Sequence, residues 1–297
     1  MTATIFLQQI INGASLGSLY ALVAIGYTMV YGILRLINFA HGDLLMFAAY
    51  AAIYGSTLFS LPWFISFPLA VVATAAMGIL LDRAAYRPLR DAPRISLLIS
   101  AIGASFLLEN LALVVIGGVP KGFPRPSVFD QVISVAGLRI QIMTIVTPVM
   151  TIVLLMGLLY IVHRTKIGKA MRAASKDFET TRLMGINLDW VIAVTFLLGS
   201  ALAAAGGVMW AMKYPQVNPF MGVIPGLKAF IAAVLGGIGS IVGAVAGGFL
   251  LGLGEILIVA FVPELALYRD AIAFLILILV LLFRPTGIMG EPMIDKS

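Results

Sequence analysis

The chain has 297 residues, 61% of them hydrophobic and only 11% charged, with a net charge of +6 and a strongly positive mean hydropathy. A soluble domain carries about 25% charged residues, so a fully water-covered surface is excluded and lipid must cover most of the protein. Zero cysteines exclude a disulfide framework and a thiolate metal site, and two histidines, His41 and His163, leave little for zinc binding or histidine-based catalysis.

Apolar runs between polar breaks predict spans at Ile5–Leu34, Leu44–Leu58, Trp63–Leu81, Ile95–Ile116, Ile140–Val162, Trp190–Met212 and Ala271–Phe283. Gly226–Val262 reads as two more, broken near Gly236–Ser240. Several runs fall short of the roughly 20 residues that cross a bilayer core. Broken or re-entrant helices are therefore expected, and they are tolerated at depth only where protein or a cavity covers the freed backbone groups. The fold class is an all-α integral membrane protein, a polytopic bundle of eight to nine spans over residues 1–297 with no separate soluble domain. The first run has no basic segment before it and is too long for a cleaved signal, so it reads as retained. Residues 117–139, rich in Pro and Gly, read as an external loop in which Val132–Ile140, with Gly137 near its middle, forms a small hairpin.

The basic residues lie between apolar runs, at helix ends, which is a topology signal and argues against nucleic acid. Thirteen fall on one side: Arg35, Arg83, Arg87, Arg90, Arg94, Arg164, Lys166, Lys169, Arg172, Lys176, Arg182, Arg284 and Lys296. Lys121, Arg125, Arg139, Lys213 and Arg269 fall on the other, and Lys228 is left inside a span. The richer side is cytoplasmic by this bias. It carries the C-terminus, and nine crossings would put the N-terminus outside.

The segment 163–187 is longer than a connector needs and holds a helix-length amphipathic stretch, with Ala170, Met171, Ala174, Phe178 and Leu183 among charges. It fits a basic anchor on membrane lipid and equally a short helix presented to a groove on a cytoplasmic partner.

Asn38-Phe39-Ala40-His41-Gly42-Asp43 places an amide, an imidazole and a carboxylate just after a long apolar span. An interfacial helix cap accounts for these types; the alternative is that Asn38, His41 and Asp43 line a gate or the translocation path. Glu109 and Asn110 in the fourth span and Glu255 in the eighth are costly at depth unless paired or wetted. They are expected to face the bundle interior, with Lys228 as a partner for either glutamate, in a pathway or as a structural contact. Gly239, Gly243 and Gly247 at four-residue spacing, with Gly248 and Gly252 beside them, mark close helix packing or subunit pairing. Gly17–Gly26 faintly echoes Gly226–Gly236, too weakly to establish an internal repeat. No G-x-x-x-x-G-K-[ST] string occurs, so any ATP that drives this protein binds another chain.

Several strings carry a family resemblance: Gly17–Leu22 (G-S-L-Y-A-L), Tyr27–Gly32 (Y-T-M-V-Y-G), Asn38–Asp43, Ala85–Arg90 (A-Y-R-P-L-R), Leu98–Gly103 (L-I-S-A-I-G), Lys228-Ala229-Phe230 and Leu235–Ser240 (L-G-G-I-G-S). They resemble the permeases of branched-chain amino acid importers of the LivH type, ABC transporters, over about residues 8–290. Glu179-Thr180-Thr181 followed by Gly185 is similar to the E-A-A-x-x-x-G loop of ABC-importer permeases, with both alanines replaced by threonine and no I-x-L-P after the glycine. The resemblance implies an inner-membrane permease subunit, not an enzyme and with no cofactor, for leucine, isoleucine and valine, or for urea, short amides or other amino acids. It implies a second homologous permease, two cytoplasmic ATPase subunits and a periplasmic or lipid-anchored substrate-binding protein. Residues 163–187 would be the coupling loop, with Gly168, Arg172, Asp177, Glu179, Arg182 and Gly185 at the ATPase. An ion- or proton-coupled secondary transporter would instead work alone and need a carboxylate such as Glu109 or Glu255, and a structural scaffold would transport nothing.

Overall fold

The structure, a computed structural model, describes residues 3–90 and 92–290. Lys296 and the chain's C-terminus lie outside the described residues. The helices in order are α1 (Ala3–Leu34), α2 (His41–Thr57), α3 (Trp63–Leu81), α4 (Arg94–Ile116), α5 (Ile142–Arg164), α6 (Lys166–Lys176), α7 (Phe178–Leu183), α8 (Leu188–Lys213), α9 (Val223–Gly236), α10 (Ile241–Phe261) and α11 (Arg269–Phe283). A π turn, Asp82–Tyr86, and a 3-10 turn, Arg87–Leu89, extend α3. Two further 3-10 turns, Ser127–Asp130 and Pro263–Tyr268, the second leading into α11, and four short strands complete the described chain: β1 (Lys121–Gly122), β2 (Val132–Val135), β3 (Leu138–Gln141) and β4 (Gln216–Val217).

Among the described residues, seven helical segments are long and apolar enough to cross a membrane. The other two apolar helices are shorter. α2 has 17 residues and α9 has 14, so at 1.5 Å per residue they reach about 26 and 21 Å, short of a core about 30 Å thick. Non-helical chain at 35–40 and 214–222 precedes each. Consecutive apolar helices run in opposite directions, as contacts at the two ends show. At one end Arg139 N–H donates to Gln8 near the start of α1, Lys121 donates to Tyr54 near the end of α2, and β1 pairs with β4 just past α8. At the other end, Ile288 and Met289 after α11 donate to the last carbonyls of α9, Leu235 and Gly236. That second end also carries α6 and α7.

α1 is the central post. Nearly every side chain from Gly13 to Val30 is buried, because α5, α8, α9 and α10 surround it. The approach to α10 depends on missing side chains: a Cβ on Gly17 would lie 2.8 Å from Phe249 Cα, and one on Gly248 would lie 2.5 Å from Ala21 Cα. Gly252 packs on Gly17, and Gly243 and Gly247 pack on the α9 backbone at Gly236 and Ala232. The glycine stripe thus joins helices of one chain. Gly239 is an exception to the packing expectation: it lies between α9 and α10 with φ +101° and nothing near a virtual Cβ. It serves the turn that reverses the chain, not a helix face.

The two shorter helices meet start to start. A Cβ on Gly42 would lie 2.8 Å from Gly222 O, and one on Gly226 would lie 2.8 Å from Gly42 Cα. The unit of long helix, extended segment and shorter helix occurs twice with opposite direction, as α1–α2 and α8–α9. This is the inverted arrangement found in transporters built from repeats. The echo between Gly17–Gly26 and Gly226–Gly236 does not follow it, since the first string is mid-α1 and the second is the shorter helix α9. Both are glycine-spaced because both are packed closely, not because they correspond.

The hairpin at 132–141 is formed, with Val132 opposite Gln141 and Val135 opposite Leu138. Ala136 and Gly137 both have positive φ, as a two-residue turn of this hand requires.

Gly248→Leu should lower stability by about 1–3 kcal/mol or more through overpacking against α1, whereas Gly254→Ala, with open space around it, should be neutral. Thermal unfolding midpoints of the two variants in detergent test the contrast.

Candidate functional site

Asn38, His41 and Asp43 are buried, and the cap reading fails there. The residue before α2 is Ala40, with no side-chain cap bond. Asn38 and Asp43 point instead to other elements: Asn38 Oδ1 accepts from Tyr86 Oη at 2.7 Å, and Asp43 Oδ2 accepts from Ser105 Oγ at 2.6 Å. Backbone carbonyls serve the helix start, with His41 N–H on Asn38 O and Asp43 N–H on Ala40 O. His41 lies against Gly26 and beside the Tyr27 ring, centroids 4.5 Å apart. Asn38 Nδ2 and His41 Nε2 are buried without a hydrogen-bond partner among the described residues. The string therefore ties the start of α2 to the π turn after α3 and to α4.

Lys228 and Glu255 form a second buried cluster. Lys228 Nζ lies 2.7 Å from Glu255 Oε1, and Tyr20 Oη donates to Glu255 Oε2 at 2.9 Å. Asp270 Oδ1 is 2.6 Å from the same ammonium, and Arg269 Nε is 3.6 Å from Glu255. Two cations and two carboxylates from α9, α10 and α11 thus neutralise one another, with the α1 phenol completing the set. Lys228 pairs with Glu255 and not with Glu109.

On α4, Glu109 is 7% exposed and makes no hydrogen bond or ion pair among the described residues. It lies one turn past Ser105, on the stripe that meets Asp43. Asn110 departs from the expectation of an interior contact: it is exposed on the outside of this chain, with Nδ2 donating to Phe106 O of its own helix. One residue is about 100° of rotation on a helix, so neighbours in sequence cannot both face inward.

The segment 163–187 is two helices, not one amphipathic stretch. Thr165 caps α6 by accepting from Gly168 N–H, and Asp177 caps α7 by accepting from Glu179 and Thr180 N–H. Gly168, Met171 and Ala174 are buried, so the apolar side of α6 is used by its own chain; Gly168 backs onto the Ile161 and Val162 carbonyls. α7 is different. Arg172 on α6, and Glu179, Arg182, Leu183 and Met184, are exposed, the last two at 82% and 76%. Gly185, with φ +76°, turns the chain back toward α8.

An ion network not anticipated from the sequence supports this return. Asp189 in the first turn of α8 meets Arg87 and Arg90, both at 2.5 Å, and Arg90 also binds Asp82 at 2.6 Å. The available signal was Asp82 at the foot of an apolar run, eight residues before Arg90. Tyr86, Ser105, Tyr20, Asp189 and Asp270 were also missed, because their partners lie far away in sequence. No cluster of three or more metal-binding side chains occurs among the described residues.

A family model described as branched-chain amino acid transport system / permease component matches residues 9–281. The high-affinity branched-chain amino acid transport system permease protein BraD of Pseudomonas aeruginosa is 45% identical, over 98% of each chain. The corresponding protein LivH of Escherichia coli is 42% identical, over 98% of this chain and 97% of its own length. Among solved structures, PsaBC from Streptococcus pneumoniae in complex with Fab superposes with a TM-score of 0.50 at 15% identity, covering 95% of this chain and 92% of that one. At that identity the likeness is one of fold.

Lys228→Met should destabilise the protein by about 3–5 kcal/mol, because it strands buried Glu255, and Lys228→Met with Glu255→Gln should recover part of the loss. Unfolding midpoints of the single and double variants, measured in one detergent, give the coupling.

Proposed function

The chain belongs to the family of branched-chain amino acid transport system permeases, and on that premise we propose that it is one wall of an ATP-driven import pathway for leucine, isoleucine and valine. A second, related permease closes the pathway, two ATPase subunits on the cytoplasmic side drive it, and a binding protein delivers substrate from outside. The end carrying α6 and α7 is cytoplasmic. The chain itself makes and breaks no covalent bond; it supplies a helix bundle with two arrangements whose balance the partners shift.

The observation that carries this reading is α7. A capped six-residue helix holds Leu183 and Met184 in the open, while the adjacent α6 has its apolar side already covered by its own chain. Exposed large apolar side chains on a short, positioned helix, rimmed by Arg172, Glu179 and Arg182, fit a groove on a partner better than they fit water. Lipid anchoring is the weaker reading for α7, since the basic residues of α6 surround its buried face rather than extending the α7 apolar edge.

α4 supplies the second part of the reading. The exposed Asn110 amide, within the apolar span of α4, is unfavourable against lipid, and a second permease on α4 would cover it, with Glu109 and Asn110 at or beside the path. For a proton-coupled carrier, Glu255 is already neutralised by Lys228, which leaves Glu109 as the carboxylate such a mechanism would need.

Gly185→Arg, or Arg172→Glu with Arg182→Glu, should abolish co-purification of the ATPase; its retention would rule out α7 as the main dock. In reconstituted complexes, labelled leucine uptake should be competed by isoleucine and valine and not by urea. Glu109→Gln should retain uptake if the side chain is a neutral strut, and full loss with normal assembly would demand a charge there.

A further inference from the structure

A cavity of about 660 Å³ opens at the α6–α7 end, between the last turns of α1 and α5, the second half of α6 and the α9–α10 turn. Its mouth holds Arg35, His163, Arg172 and Lys176, and no lining residue is acidic. Arg35 and Arg172 have no carboxylate partner among the described residues, although ion pairs occupy the other charged clusters of the bundle. Deeper in, the wall becomes apolar, with Met29, Ile33, Leu159 and Val162. Two hydroxyl-bearing side chains of α1 line this part, Tyr31 and Thr28; Thr28 is 1% exposed and its Oγ1 has no hydrogen-bond partner among the described residues. Thr28 is seven residues before Arg35, about 10 Å along the helix axis.

We infer that this cavity holds the headgroup of an anionic phospholipid, its phosphate at Arg35 and Arg172 and its glycerol ester region at Thr28. The cavity pairs cationic and apolar chemistry as the lipid does. At the mouth a phosphate accepts charge-assisted hydrogen bonds. Inward of it Ile33, Met29, Leu159 and Val162 give a wall that suits acyl chain, with the unpaired Thr28 hydroxyl among them at the inner end. Free phosphate would use the mouth and leave the apolar depth empty, so the depth favours lipid over a soluble anion. Exposed Val242 at the rim leaves the apolar side open to the flank of the bundle, and basic pockets between helices at a membrane face are suited to such headgroups. The inference stands on the cavity and does not require that α7 dock an ATPase.

The test uses the full chain purified with its partner subunits, washed free of lipid in detergent and titrated with phosphatidylglycerol, bound lipid being read by native mass spectrometry. Phosphatidylglycerol should bind about tenfold more tightly than phosphatidylcholine. Arg35→Gln should weaken it by a similar factor, Arg35→Lys should largely preserve it, and Thr28→Val should weaken it a few-fold, about the worth of one hydrogen bond. Equal binding of the two lipids, or unchanged phosphatidylglycerol binding in both Arg35→Gln and Thr28→Val, would overturn the inference. So would full displacement of the lipid by millimolar inorganic phosphate, which would assign the mouth to a free anion.

Discussion

Hydrocarbon offers no hydrogen-bond partner to a free peptide group, yet α2 and α9 both begin inside the bundle. A helix start leaves its first N–H groups without intrahelical acceptors, and neither start has a side-chain cap. Tight backbone turns supply part of the need: His41 and Asp43 donate to Asn38 and Ala40, and Met221 and Val223 donate to Asn218 and Phe220. Close packing keeps lipid away from the junction, since Gly42 sits on Gly222 and Gly226 with no side chain between. Two helix starts that meet bring two positive dipole ends together. The Asp43 carboxyl in the first turn of α2 is the acidic group at that junction, held in place by Ser105. Much of the remaining architecture serves this arrangement. α1 and α8 flank it, and Gly199 of α8 packs against Gly26 of α1 close to the His41 ring.

The same junction is connected to the exposed helix α7. Gly185 turns the chain into α8, whose Asp189 grips Arg87 and Arg90. The Tyr86 hydroxyl beside those arginines donates to Asn38, and its ring packs on Phe196 of α8. The contacts therefore run without a gap from α7 through the start of α8 to the segment that leads into α2. If a partner moves α7, the charge network transmits that motion as a rigid displacement, because Arg90 is held by two carboxylates at once. The apolar side of α6, buried on α5 and α1, stays with the bundle. Dividing the loop at Asp177 thus separates a helix that anchors from a helix that projects.

The apolar helices were legible in the sequence because lipid imposes one requirement, a long apolar run, that a single segment must satisfy by itself. The break at Gly236–Ser240 and the hairpin around Gly137 were legible for a related reason: both are local turns whose residues state their backbone demand. The starts of α2 and α9 were harder. The second apolar run, read from Leu44, starts three residues earlier, since polar His41 and Asp43 look like an end when their partners on α1 and α4 are out of view. Asn110 was placed inside because polarity within a span argues for an interior only when the chain is alone. Gly239 was grouped by spacing with helical glycines although it lies in a turn, where spacing has no meaning. The pairing of Lys228 with Glu255 could be anticipated because each was conspicuous in an apolar run. Asp82 and Asp189 were not, since carboxylates at span ends look ordinary until the arginines that bind them are located.

A transporter needs parts that hold and parts that move, and the packing separates them. α1, α2, α8, α9 and α10 meet through glycine and alanine backbones, which leave no slack for gradual deformation. α4 and α11 are less constrained. α4 touches mainly α2 and the turn after α3, and α11 touches mainly α9 and α10, leaving most of each helix exposed. Besides a few small apolar contacts such as Ala101 and Ala273, their attachments include polar ones: Ser105 on Asp43 and Ser100 on the Ala85 carbonyl for α4, and Asp270 with Arg269 on the Lys228–Glu255 pair for α11. Polar attachments of this kind can exchange partners without opening a cavity, which apolar close packing cannot do. A change of arrangement is therefore easiest where α4 and α11 pivot on those points. The glycine-packed core around α1 then acts as the fixed body against which the pivot works.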